Sequence, residues 1–259
     1  MKKFFPLLLS ACCLATAVLF AVPIRSNLGA EGVEGIPEQD GPTAADYIQD
    51  GLVAMWDGIE NVDWGAHDPD ATSWIDLVNG IHIPVNGFNS DCAIMKAVSL
   101  TDTALLDALA SPNMTVEMFT VCGVTPQSSR IAPIQVTPET SYFSFTYYRW
   151  GTTINYSTGF RYLFGQQNKF YPGFPREGDV ETISFTMTRD GATSKAYYYN
   201  GVSLNVYSYA ATEPSVSPTE LRFWRAGNPE VYFVRIYNRT LSEAEVSYNF
   251  LIDKARFGL

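Results

Sequence analysis

The chain has 259 residues, 46% of them hydrophobic and 14% aromatic, which is enough for one sizeable core and favours strands over helices. Its net charge is −10, and loss of Lys2, Lys3 and Arg25 with an N-terminal leader would take it to −13. A field of that sign repels phosphate backbones and anionic lipid surfaces, so nucleic acid is excluded as an expected partner.

Lys2 and Lys3 precede an almost unbroken apolar run, Phe4 to Val22, closed by Pro23. A positive start and an apolar core describe a secretory signal. Three readings of residues 1–25 stand side by side: a cleaved signal peptide, a retained membrane anchor, or a lipoprotein leader. The last arises because Leu9-Ser10-Ala11-Cys12 resembles a bacterial lipoprotein box. All three export the rest of the chain, to the cell surface or beyond, with membrane contact only through an uncleaved or lipidated leader. Residues 26–46, with Gly29, Gly32, Gly35, Pro37 and Pro42 and few large apolar residues, read as a flexible linker. A single folded domain is expected over 47–259.

That domain opens with a strand, Gly51 to Trp56, ended by Asp57-Gly58. An acidic loop follows, then Ile75-Asp76-Leu77. Asp57, Asp63, Asp68 and Asp70 are hard oxygen ligands of the type calcium takes, so a calcium site is one expectation for the loop. The other is a solvated loop whose aspartates end a strand or cap turns. Cys92 and Cys122 lie in strand-like runs and form either one disulfide or two buried thiols.

Further strands are predicted over 115–121 and 131–136, then over 142–150. In the last of these Phe143, Phe145 and Tyr147 alternate with Tyr142, Ser144, Thr146, Tyr148 and Trp150. Residues 160–164 and 181–188 follow, the latter with Ile183, Phe185 and Met187 on one face. Asp190-Gly191 turns the chain into 195–199, and Asn200-Gly201, which tolerates positive φ, turns it into 202–207. Strands at 221–224 and 231–237 come last. Ser242 and Glu245 then form a capping box for a helix reaching Phe257, with Val246, Phe250 and Phe257 on one face. Ten or so short strands and one terminal helix describe an all-β, two-sheet antiparallel jelly-roll sandwich.

The run "VRIYNRTLSEAEV" resembles the closing signature of laminin G-like domains of the concanavalin A-type jelly-roll group. Asp50-Gly51-Leu52-Val53-Ala54, then Trp74, Asp76-Leu77 and Gly80, resemble the opening signature of the same group, and Glu117 stands where its "TxE" strand has a glutamate. The resemblance implies a concanavalin A-like fold over 50–257 and a carbohydrate-binding or adhesive role, with a glycan or a surface protein as partner. One departure is Tyr232-Phe233, where many relatives have an acidic pair.

Laminarinase-type glucanases on this fold carry Glu-x-Asp-x-Glu on one strand, and this chain has no such triplet. Glu117, Glu181 and Glu230 read as isolated acids, and His67 and His82 are too few for a histidine-rich metal site. No catalytic residues are therefore assigned, and a non-catalytic binder is expected. The alternatives are a structural surface protein and an atypical glycoside hydrolase. Sugar rings stack on aromatic faces, which singles out Tyr142, Tyr148 and Trp150, with Tyr198 and the hydrogen-bonding fork of Arg161, as candidate ligand residues. The competing expectation is that these rings are packing residues.

Overall fold

A computed structural model describes residues 41–123, 130–137, 144–150, 157–164, 167–169, 180–191, 193–199, 204–210, 217–223 and 230–258. Side chains are described for 41–120, 134–137, 186–191, 193, 217–223 and 230–258. The leader and most of the linker, Tyr142, the Asn200-Gly201 turn and the side chain of Cys122 lie outside the described residues.

After a single 3₁₀ turn at Ala44–Asp46 come β1 (Leu52–Asp57), β2 (Ser73–Ile75), β3 (His82–Asn89), β4 (Cys92–Met95) and β5 (Val98–Leu100). Helix α1 (Thr103–Ala110) precedes β6 (Asn113–Gly123), β7 (Arg130–Thr137), β8 (Ser144–Trp150), β9 (Ser157–Phe164) and β10 (Gln167–Lys169). The chain ends with β11 (Val180–Asp190), β12 (Thr193–Tyr199), β13 (Leu204–Ala210), β14 (Glu220–Phe223), β15 (Glu230–Tyr237) and α2 (Glu243–Phe257).

Among the described residues nine strands form one sheet, ordered β13-β12-β11-β6-β15-β4-β3-β2, with β1 also pairing with β15. Six form the other, ordered β10-β9-β8-β7-β14-β5. The pairings are antiparallel, and the result is the all-β jelly-roll sandwich with a C-terminal helix.

Alternation decides which face is buried. Met114, Val116 and Met118 of β6, Val234 and Ile236 of β15, and Ala54 and Trp56 of β1 supply one half of the core. Ile134, Val136, Leu221 and Phe223 supply the other half. Trp56 meets Phe223 edge-on across the two layers, ring centroids 5.3 Å apart. Helix α1, absent from the expected elements, adds Leu105, Ala108 and Leu109 to the same core. Asp102 caps it, its carboxylate accepting from the Leu105 amide at 2.9 Å.

The opening and closing signatures are neighbours in space. β1 lies antiparallel to β15, with Leu52 opposite Tyr237, Ala54 opposite Ile236 and Asp57 opposite Phe233. The Asn238 amide donates to the Gly51 carbonyl at 2.8 Å, and Arg239 Nε donates to the Asp50 carbonyl at 2.9 Å. Gly51, at φ +75°, has no room for a side chain: a Cβ would lie 2.8 Å from Arg239 Cγ. Asp76 ties the third piece in, accepting from the amides of Met55 at 2.6 Å, Val78 at 3.1 Å and Asn79 at 2.8 Å. The Ser242–Glu245 capping box forms as expected. Arg239 grips Glu245 with both terminal nitrogens, at 3.1 and 2.7 Å.

Cys92 is a free, buried thiol that donates to the Asn89 carbonyl at 3.0 Å, and burial pushes it up to about 12. At Cys92 the structure therefore shows a thiol and not a disulfide sulfur, while the side chain of Cys122 lies outside the described residues.

Candidate functional site

The nine-stranded sheet turns a second face away from the core, and alternation puts Thr186, Glu117, Arg235 and Met55 there as one cross-strand row. Helix α2 closes over it. Arg235 Nε donates to Glu117 Oε2 at 2.7 Å, while its Nη1 and Nη2 donate to the two Asp253 oxygens at 2.8 and 2.9 Å. The guanidinium carbon lies 3.9 Å from the Tyr47 ring centroid and 3.8 Å from that of Phe233, so both its planar faces are covered. Asn249 Nδ2 donates to Glu117 Oε2 at 2.9 Å and to the Tyr237 hydroxyl oxygen at 3.0 Å, and Asn249 Oδ1 accepts from the Ile48 amide at 3.1 Å. Two turns beyond Asn249, Arg256 donates to both Asp57 oxygens, at 2.8 and 3.0 Å, and to Glu60 at 3.0 Å.

Burial pushes the carboxyls of Glu117 and Asp57 up, against the pull of Arg235 and Arg256 respectively. Glu117 is therefore not the isolated acid that the sequence reading expected. The buried face of α2 also differs from the expected apolar stripe: it presents Val246, Asn249, Ile252 and Asp253, with Phe250 and Phe257 half-buried. Two carboxylate pairs, Glu117 with Asp253 and Asp57 with Glu60, are each bridged by a buried guanidinium. A carboxylate held that way is a structural anchor, not a free base.

The acidic loop does not gather its aspartates. Asp57 is fully buried against Arg256 and also accepts from the Ile59 and Glu60 amides at 3.0 and 2.9 Å. Asp63 accepts from the Trp64 amide at 2.8 Å, and Asp68 from the Asp70 amide at 2.9 Å. Among the described residues no three His, Cys, Asp or Glu side chains converge as a metal site requires. Of the four aspartates named for calcium, Asp57 faces inward to Arg256, the Asp63 and Asp68 carboxylates accept from turn amides, and Asp70 gives its amide to Asp68, so the structure does not bring Asp57, Asp63, Asp68 and Asp70 together.

The six-stranded sheet is different. Leu221 and Phe223 point to the core, which leaves Glu220 and Arg222 on the outer face, in register with Thr137 and Gln135 of β7. Ser99, Arg222, Gln135 and Ser144 then make one polar row across four strands. Ser99 and Arg222 are exposed, and an ion pair joins Arg222 to Glu220. Hydrogen bonds from Arg222, then from Ser99, hold the Glu220 carboxyl below the usual carboxylate range.

Since Gln135 is opposite Ser144, positions 144, 146, 148 and 150 of β8 share this outer face. Tyr148 is opposite Gly159, Trp150 opposite Ser157 and Thr146 opposite Arg161. The register thus brings the positions of Tyr148, Trp150 and Arg161 onto one face of two adjacent strands. Tyr198 stands apart, on β12 of the other sheet, in register with Phe185 and, one strand on, Met118. The sequence reading passed over Gln135, Glu220 and Arg222, whose only signal is their place between buried Leu221, Phe223, Ile134 and Val136.

No protein-family model and no curated protein matches the chain. Solved structures do resemble it. The Trypanosoma rangeli sialidase in complex with sialic acid superposes with a TM-score of 0.53 at 13% identity, over 80% of this chain and 33% of that one. The binding domain of botulinum neurotoxin serotype D/C VPI 5993 gives 0.52 at 9% identity, over 80% and 53%. The binding domain of botulinum neurotoxin DC in complex with SialylT gives 0.50 at 9% identity, over 81% and 52%. The chain thus spans a third to about half the length of each of these structures. At such identities the likeness concerns architecture alone, and what the chain shares with these proteins is a β-sandwich.

Proposed function

We propose that this protein is an exported, non-catalytic carbohydrate-binding module of the laminin G-like type, with its ligand on the outer face of the six-stranded sheet. The observation that carries the reading is the register of β8 against β9. Two aromatic positions, Tyr148 and Trp150, lie opposite the small residues Gly159 and Ser157 and beside Arg161. Aromatic rings with small neighbours and a forked donor suit the C–H face and hydroxyls of a sugar. The absence of catalysis draws on the two carboxylate pairs described above, each tied to an arginine. Structures of the same fold include a sialidase complexed with sialic acid and a toxin domain complexed with SialylT, which supports a glycan as the ligand class. Export draws on the basic and apolar leader. On a glycan array, Trp150→Ala is expected to lose the wild-type signal at an unchanged melting temperature. An unaltered signal overturns the sheet-face site, and β-glucan hydrolysis by the wild type overturns the non-catalytic reading.

A second reading, a surface assembly protein, draws on Tyr248 and Leu251, which are 44% and 59% exposed one turn apart on α2. Self-association in sedimentation, lost in a Tyr248→Ser, Leu251→Ser double variant, would favour it.

A further inference from the structure

Trp64 and Val78 are exposed large hydrophobic residues, at 39% and 37%, and a hydrogen bond ties the Trp64 ring to the backbone next to Val78. The Trp64 indole Nε1 donates to the carbonyl of Leu77, the residue before Val78, at 2.7 Å. That hydrogen bond fixes the ring and satisfies its only polar atom. What Trp64 offers to solvent is therefore apolar ring surface.

The backbone beneath it is held by hydrogen bonds. Asp63, Trp64, Gly65 and Ala66 form a tight turn in which the Ala66 amide donates to the Asp63 carbonyl at 3.0 Å, with Gly65 at φ +69°. The Gly65 amide donates to Glu60 Oε2 at 2.8 Å. Glu60 Oε1 in turn receives the Ala44 amide at 2.7 Å and Arg256 at 3.0 Å. An exposed tryptophan on so well-anchored a turn loses little freedom when a ligand settles on it.

The surroundings narrow the ligand. The apolar patch is two side chains wide, far short of the roughly 800 Å² per partner that a stable protein interface buries. Exposed acceptors flank it along the chain: Asp63 precedes Trp64, Asn79 follows Val78, and Asp68 and Asp70 lie on the same loop. Carboxylates accept hydrogen bonds from sugar hydroxyls but repel a carboxylated sugar, and the net charge of −10 adds to that repulsion.

We propose that Trp64, with Val78 next to the residue that holds its ring and Asp63 and Asn79 flanking the pair along the chain, is a stacking site for a neutral pyranose. The site is distinct from the face of the six-stranded sheet. It does not depend on that reading, since different residues of a different loop build it.

The test is a ¹H–¹⁵N titration of the wild-type protein followed through its tryptophan indole signals, with Trp64→Phe identifying the Trp64 peak. Methyl β-D-glucopyranoside, methyl β-D-galactopyranoside, N-acetylglucosamine and N-acetylneuraminic acid are the probes. The expected result is a saturable shift of the Trp64 signal with at least one neutral sugar, and none with N-acetylneuraminic acid. The buried Trp56 and Trp74 signals should stay in place. A Trp64 signal unmoved by all three neutral sugars overturns the proposal, and an equal shift with N-acetylneuraminic acid overturns its neutral specificity. If only the Trp150 signal moves, the sheet face stands and this site falls; if only Trp64 moves, the reverse holds.

Discussion

Gly58 ends β1 with its amide donating to the Tyr232 carbonyl at 2.7 Å, and a Cβ added there would overlap the Asp91 carbonyl oxygen. Backbone cannot yield as a side-chain tip can, so Gly58→Ala is expected to lower the thermal midpoint far more than Gly65→Ala, where a Cβ meets nothing within 4 Å. Paired melting curves check the contrast. Arg235 has four partners: two carboxylates and two aromatic faces. Removing one member of such a buried set leaves the others uncompensated, and Arg235→Met is expected to cost about 3–5 kcal/mol in urea unfolding. Glu245 answers to pH. Its hydrogen bonds with Arg239 hold its carboxyl at about 2, against 4.5 unperturbed. A lowered folded-state value stabilises above the unfolded value and is lost as pH falls through the folded one. Wild type is therefore expected to melt above Glu245→Gln at pH 7, with the gap closing between about 4.5 and 2.

Helix α2 explains why the site was harder to read than the fold. Its start was legible, because Ser242 and Glu245 make a capping box whatever the helix packs against, and Ser242→Ala is expected to cost about 1 kcal/mol by denaturant titration. Its buried face was not legible. Asn249, Asp253 and Arg256 read as solvent-facing residues until Glu117 and Arg235 are known to lie beneath them, and Glu117 is 118 positions from Arg235. No local pattern encodes a partner at that range. α1 is the opposite case: Asp102 before Leu105, Ala108 and Leu109 is a cap followed by helical spacing, legible but short enough to be passed over between strands.

Across the whole molecule, β11 was legible because polar and apolar residues alternate along it, as in Thr186, Met187 and Thr188, even though all three are buried. β3 was harder, since Gly87 at φ +118° lies where its pairing with β4 shifts register and breaks the pattern. The candidate ligand positions on β8 were visible as an alternation, but which aromatics share a sheet was not. Tyr198 lies in the other layer because β12 continues the β6–β11 sheet.

The pairing of β1 with β15 has a consequence for how the chain is made. The first strand to leave a ribosome or a translocation pore finds its neighbour only when the last one emerges, and Asp57 waits longer still, for Arg256. The barrier to folding therefore includes closing nearly the full length of the polypeptide. Nascent chains stopped before Val231 should be cut by added protease throughout, whereas chains extended beyond Phe257 should survive.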